Sequence, residues 1–158
     1  MKVSLSWLKE YVRIQMTVSD LAEALTMAGL EVEAVADRYA HLDTVVVGQV
    51  KAVLPHPNAD RLKLCQVDRG GEMVQVVCGA PNVAEGMLAP LALVGTLLPN
   101  GLQLKENVIR GERSEGMLCS EVELDLGPDA SGLMVLGTTA VPGTPLKSAL
   151  DLNDATLE

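Results

Sequence analysis

Phenylalanine is absent from these 158 residues, and the aromatic share is only 2%, supplied by Trp7, Tyr11 and Tyr39. Any interior is therefore aliphatic, built from Val, Leu, Met and Ala. Hydrophobic residues still make up 48% of the chain, which excludes a disordered tail. Positive charge is scarce as well: 12 Lys and Arg stand against 21 Asp and Glu, for a formal charge of −9. That excludes a polybasic arm gripping nucleic acid by bulk electrostatics, because neutralising phosphates takes clustered cations. Cys65, Cys78 and Cys119 form no CxxC pair, and their odd number argues against a disulfide framework. Reduced thiols in a reducing compartment are expected. No charged leader precedes an apolar stretch at the start, so no secretory signal is read. The longest apolar run, from Met87 to Leu98, is interrupted by Pro90, Gly95 and Thr96. It falls short of the ~20 residues that cross a bilayer, and a cytoplasmic protein is expected.

What is present divides the chain in three. In residues 1–39, Trp7, Leu8, Tyr11 and Val12 follow Ser6 at helical spacing, and Leu21, Ala24, Leu25 and Ala28 mark one face of a second short helix. Thr17 suits its N-cap, with Asp20 three residues on, and Gly29 suits the C′ position. Residues 30–36 alternate loosely as a strand. This helix–helix–strand segment carries four basic and six acidic residues and is too small to bury its own apolar face. It reads as a small α/β unit that lacks a partner.

From residue 40 to 150 the pattern is β. Strands are predicted over 45–53, 62–68, 73–77, 88–94, 102–104, 108–110 and 133–136, punctuated by Gly70-Gly71 and Asn100-Gly101 turns. Short strands this close together predict a small closed barrel rather than a parallel sheet with crossover helices. The fold class is mostly β, α+β overall. After Pro142-Gly143-Thr144-Pro145 comes one helical turn over 146–150, and residues 154–158 then begin a strand-like alternation that stops abruptly. A fragment is expected.

His56-Pro57-Asn58-Ala59-Asp60-Arg61-Leu62 reads as a rigid loop entering a strand, since Pro57 holds His56 extended and Asn58 and Asp60 form turns. A metal reading would recruit His56, Asp60 and His41, but no HxxxH or HxH spacing supports it. Cys78-Gly79-Ala80-Pro81-Asn82 offers two readings. Cys78 is a nucleophile with His56 as base and Asp60 as orienter, if the fold unites them. Otherwise Cys78 ends a buried strand as a small hydrophobe and Gly79 permits a tight turn. The second is expected, because most lone intracellular cysteines do not catalyse. Gly111-Glu112-Arg113-Ser114-Glu115-Gly116 misses the hydrolase elbow, because Glu112 stands where that turn needs glycine. What remains is a flexible charged loop with Arg113 and Ser114 at its surface. Its cations Lys105, Arg110 and Arg113 either face phosphates or simply solvate a loop that also holds Glu106, Glu112 and Glu115.

The opening dodecamer Met1-Lys2-Val3-Ser4-Leu5-Ser6-Trp7-Leu8-Lys9-Glu10-Tyr11-Val12 resembles the start of bacterial phenylalanyl-tRNA synthetase β subunits. Leu25-Thr26-Met27-Ala28-Gly29-Leu30-Glu31-Val32-Glu33 resembles the same family's next segment. The 56–62 string, Val77-Cys78-Gly79-Ala80-Pro81-Asn82-Val83, Ile109-Arg110-Gly111, Ser114 and Gly116-Met117-Leu118-Cys119-Ser120-Glu121 resemble its inserted tRNA-binding OB domain. The resemblance implies a five-stranded OB-fold barrel over 40–150. It also implies that 1–39 is the first half of a discontinuous N-terminal α/β unit, to which 151–158 starts the return. It implies an α2β2 heterotetramer whose α subunit holds the ATP and phenylalanine site, so this chain is non-catalytic. ATP and magnesium belong to the whole enzyme, with no cofactor and no metal in this piece. The partners expected are the α subunit and tRNA, with no membrane. For RNA the expected contacts are Lys63, Lys105, Arg110 and Arg113 to phosphate, with hydrogen bonds from Asn82, Ser114 and Ser120. Residues 40–150 lack aromatics and carry twelve acidic against eight basic residues. Contact would therefore address the backbone and 2′-hydroxyls of structured RNA rather than stack on bases. Two alternatives stand beside this reading: a freestanding tRNA-binding barrel, and a barrel that serves only to dock other domains.

Overall fold

A computed structural model describes all of residues 1–158, and the chain divides into two units. One comprises Met1–Ala40 with Asp151–Glu158; the other is His41–Leu150.

In the first unit, strand β1 (Val3–Ser4) runs into helix α1 (Leu5–Leu8), which is capped by the Ser4 hydroxyl accepting from Trp7 N–H. Helix α2 (Val18–Met27) begins as its sequence predicts, with the Thr17 hydroxyl accepting from Asp20 N–H at 3.2 Å. Gly29 follows the helix at φ 95°, a conformation that costs glycine little. No residue of α2 is fully buried. Strand β2 (Val35–Asp37) is shorter and later than the predicted 30–36.

The second unit owes its sheet to β-branched alternation and short apolar runs. Strands β3 (Val45–Pro55), β4 (Lys63–Asp68), β5 (Met73–Cys78) and β6 (Leu88–Leu93) lie where that pattern predicts them. A hairpin of β7 (Asn107–Ile109) and β8 (Glu112–Ser114) follows, then strand β9 (Gly116–Leu118) and a helical turn α3 (Leu146–Ala149). The five-stranded antiparallel sheet has the order β5-β4-β3-β6-β9, and β3 is bulged between Val50 and Ala52. It curls until its outer edges nearly meet, giving a mostly β, OB-like barrel. Inward residues Val50, Cys65, Val67, Val76, Ala89 and Leu91 are completely buried. Gly48 is required in β3: a Cβ there would lie 2.8 Å from Val67 Cγ1 and 3.0 Å from Leu91 Cβ.

Side chains close the barrel where the ladder does not. Val77 N–H donates to Ser114 Oγ at 3.1 Å, Glu115 N–H to Gln75 O at 2.8 Å, and Gln75 N–H to a Glu115 carboxylate oxygen at 3.1 Å. Two expectations are corrected here. Residues 102–104 and 133–136 are not strands. The first makes one isolated bridge, Leu97 with Gln103, and the second is an extended segment held by Met134 N–H to Cys119 O and Leu136 N–H to Leu88 O.

The last strand, β10 (Ala155–Leu157), returns to the first unit and lies antiparallel between β1 and β2. Just before it, buried Asp154 accepts from Ser4 Oγ at 2.6 Å, Ser6 N–H at 2.8 Å, Ser6 Oγ at 3.0 Å and Arg38 Nη1 at 3.3 Å. No helix in the chain is long and apolar enough to cross a membrane.

Candidate functional site

The string singled out at 56–62 finds its purpose in the β7–β8 hairpin. That hairpin turns on Arg110 and Gly111, at φ 52° and φ 90°, the paired left-handed geometry that a two-residue turn demands. Glycine tolerates it, whereas Arg110 meets a steric cost of roughly 1–2 kcal/mol. Across from the turn, Asn58 Nδ2 donates to Arg110 O at 2.9 Å, and His56 Nε2 lies 2.9 Å from Ile109 O. His56 Nδ1 accepts from Asn58 N–H at 3.0 Å, so the neutral ring carries its proton on Nε2 and donates it to Ile109. His56 is buried.

Beside the hairpin lies a cavity of about 840 Å³, lined among others by Cys78, Lys105, Ile109, Ser114, Ser120 and Glu123. Three of the seven expected RNA contacts (Lys105, Ser114 and Ser120) share this wall. Lys63 sits directly opposite Cys78 in the β4–β5 register, so its side chain leaves the same face of the sheet. Asn82 grips the backbone of Leu133, donating to its carbonyl at 3.0 Å and accepting from its N–H at 2.8 Å, and Leu133 lines the cavity too. Arg110 and Arg113 ride on the hairpin.

The hydrogen-bonding of these groups differs. Lys63, Lys105 and Arg110 make no ion pair, and the latter two are exposed. Arg113 is held by Glu106 at 2.6 Å and Glu115 at 3.4 Å, and the Glu106 bond above all raises its pKa. Ser114 is not at a flexible surface, where a charged-loop reading puts it. It is buried in the barrel seam, accepting from Val77 N–H and donating to Gly116 O at 3.2 Å. The Ser120 hydroxyl and N–H both donate to Glu123, at 3.0 and 2.7 Å. Arg61, exposed and unpaired on the 56–62 loop, was not among the expected contacts, and neither were His56 and Asn58. Their string stands out in the sequence, but its target lies some fifty residues away and leaves no local trace.

The nucleophile trio does not assemble. Both His56 nitrogens are occupied, by Asn58 and Ile109, which leaves none to take a proton from Cys78. Cys78 instead ends β5 as a buried residue, its sulfur accepting from Ala80 N–H at 3.4 Å. A hydrogen bond between the two thiols pushes Cys65 up and Cys78 down, and burial pushes Cys119 up to about 12. His41 Nε2 is engaged with Leu124 O at 2.8 Å. No three His, Cys, Asp or Glu side chains converge as metal ligands.

A nearly closed OB-like barrel with a cavity, a clamped hairpin and a few unpaired cations defines a small binding module. Residues 45–145 match the family described as putative tRNA binding domain, and the chain belongs to that family. Along its whole length it is 48% identical to the phenylalanine–tRNA ligase beta subunit of Syntrophus aciditrophicus. It is 50% identical over 161 residues to the protein of the same name from Gloeobacter violaceus. Each match covers 100% of this chain and 20% of the relative, so the chain spans about a fifth of their length. Among solved structures, the MetRS related protein from Pyrococcus horikoshii aligns with a TM-score of 0.48 and 21% identity, over 63% of this chain and 85% of that one.

Proposed function

We propose that this chain is part of a phenylalanine–tRNA ligase β subunit, and that its barrel binds tRNA while helping to hold the enzyme together. Activation of phenylalanine by ATP and magnesium, and transfer to tRNA, belong to the α subunit of an α2β2 assembly in the cytoplasm. The chain itself is non-catalytic. Residues 40–150 act as the RNA-binding domain, and 1–39 with 151–158 as parts of a separate α/β unit.

The observation that carries the RNA reading is a set of three cations without ion-pair partners in an acidic barrel: Lys105 lines the cavity, Lys63 pairs in register with the cavity-lining Cys78, and Arg110 follows the cavity-lining Ile109. In a domain of net negative charge, such groups supply local phosphate contacts while the rest of the surface repels RNA. Arg113 joins them through its position beside Arg110, and Asn82, Ser114 and Ser120 act by shaping the walls. With no aromatic side chain between residues 40 and 150, recognition addresses backbone and 2′-hydroxyls of folded RNA. The test is charge reversal at Lys105, Arg110 and Arg113, followed by tRNA titration at two salt concentrations. The expected result is weaker binding and a salt slope lowered by about one for each phosphate no longer neutralised. Unchanged affinity and slope would leave the barrel a docking module only.

A further inference from the structure

Loop 56–62 is built as a closed, rigid element. His56 N–H donates to Leu62 O at 3.1 Å and Leu62 N–H to Ala59 O at 3.4 Å, extending the β3–β4 ladder beyond its last pair, Pro55 with Lys63. Pro57 stiffens its first turn. This element reaches the tip of the β7–β8 hairpin through two side chains, which between them take consecutive carbonyls, those of Ile109 and Arg110. The fit is close: a Cβ on Gly111 would lie 3.4 Å from Asn58 Nδ2. The two bonds thus grip the strained residue of the turn and its immediate neighbour. They hold Arg110, whose exposed guanidinium has no ion-pair partner, beside the loop that carries exposed, unpaired Arg61.

A barrel that needs a hairpin only for closure has no use for an arginine in left-handed backbone, where glycine or asparagine turns at lower cost. We propose that His56 and Asn58 are positioning residues for RNA: they lock the hairpin tip against loop 56–62 so that Arg110 and Arg61 form a fixed two-pronged grip on the phosphates of folded RNA. This rests on the tRNA-binding reading above and adds to it the part of the molecule that sets the geometry. Preorganisation is the physical advantage. Two long side chains on a clamped scaffold lose less freedom on binding than the same charges on a mobile loop. Arg113, ion-paired with Glu106 and Glu115, is not one of the two prongs.

The experiment uses the 158-residue chain with unfractionated bacterial tRNA as probe. Affinities are measured at two salt concentrations for Asn58→Ala, His56→Ala, Arg110→Ala, Arg61→Ala and the double variant Asn58→Ala with Arg110→Ala. Amide exchange is followed at residues 109–113. The expected result is about a fivefold loss of affinity for Asn58→Ala and a salt slope lower by about one, with faster exchange at the tip. The double variant binds no worse than Arg110→Ala alone, because Asn58 acts through Arg110. His56→Gln, which keeps a donor for Ile109, recovers most of the loss seen with His56→Ala. Should Asn58→Ala fail to fold by circular dichroism, Asn58→Ser is read in its place. Additive losses, or faster exchange with no loss of affinity, overturn the positioning role. Unchanged binding in Arg110→Ala, alongside loss on Lys105 charge reversal, overturns the grip but leaves the tRNA-binding function standing. Absence of tRNA binding by the unsubstituted chain overturns both.

Discussion

The two units solve the problem of holding a fold by opposite means. In the barrel, Val45, Val47, Val50, Cys65, Val67, Val76, Ala89, Leu91 and Ala92 are all completely buried, and aliphatic packing carries the stability. In the unit formed by Met1–Ala40 and Asp151–Glu158, only Leu5, Asp154 and Leu157 are buried. Its larger apolar residues stay open: Met27 is 83% exposed, Tyr11 71% and Leu30 65%. Leu8, Leu25 and Val32 line an open groove of about 510 Å³. What holds this unit is a three-stranded sheet and the four bonds converging on Asp154. One unit is thus defined by a dry core, the other by a carboxylate.

Four measurements test that contrast. Leu91→Ala strikes the centre of the barrel and should cost about 2–5 kcal/mol, read as a lower urea midpoint by circular dichroism. A loss below about 1 kcal/mol would mean the core is looser than its burial implies. Gly48→Ala overfills the same region, pressing on Val67 and Leu91, and should cost about 1–3 kcal/mol. The third concerns acid. Burial raises the pKa of Asp154, but the bonds from Ser4, Ser6 and Arg38 outweigh it and hold the carboxyl at about 2, against an ordinary 3.8. A lowered folded-state pKa means the stabilisation is complete above 3.8 and disappears as pH falls through about 2. It amounts to about 2 kcal/mol. Amide exchange in β1, β2 and β10 should quicken over that window, and Asp154→Asn should abolish the pH response. The smallest effect belongs to Met27→Ala, expected within about 0.5 kcal/mol because the side chain is in solvent. A larger loss would show that the first unit packs more than its exposures suggest.

The sequence made the barrel legible wherever β-branched residues alternate or apolar residues run together, so β3 to β6 appear close to their predicted limits. It also showed the Thr17 cap and Gly29, because capping is decided within one turn. It missed β9, which is three residues long and begins with glycine, too short for a period to show. It over-read 133–136, where Leu133 and Leu136 are both buried, but their backbone partners, Asn82 Oδ1 and Leu88 O, belong to a side chain and a distant strand. At the candidate site, residue types were legible and pairing was not. Nothing local says that Arg113 is taken by Glu106 while Arg110 is left free, or that Ser114 faces the seam. Those outcomes depend on which side of a short hairpin each residue occupies. A motif such as 56–62 can therefore be conspicuous without revealing its target.

The uneven distribution of rings gives this molecule a built-in reporter. Trp7, Tyr11 and Tyr39 all lie in Met1–Ala40, with Trp7 and Tyr11 edge to face at 5.2 Å, and the barrel contains none. Near-ultraviolet absorption and intrinsic fluorescence therefore see one unit only, while the barrel is dark at those wavelengths. Melting followed by indole emission tracks the smaller unit alone. A tryptophan introduced at an exposed barrel position would light the other half and let the two transitions be timed separately in one sample.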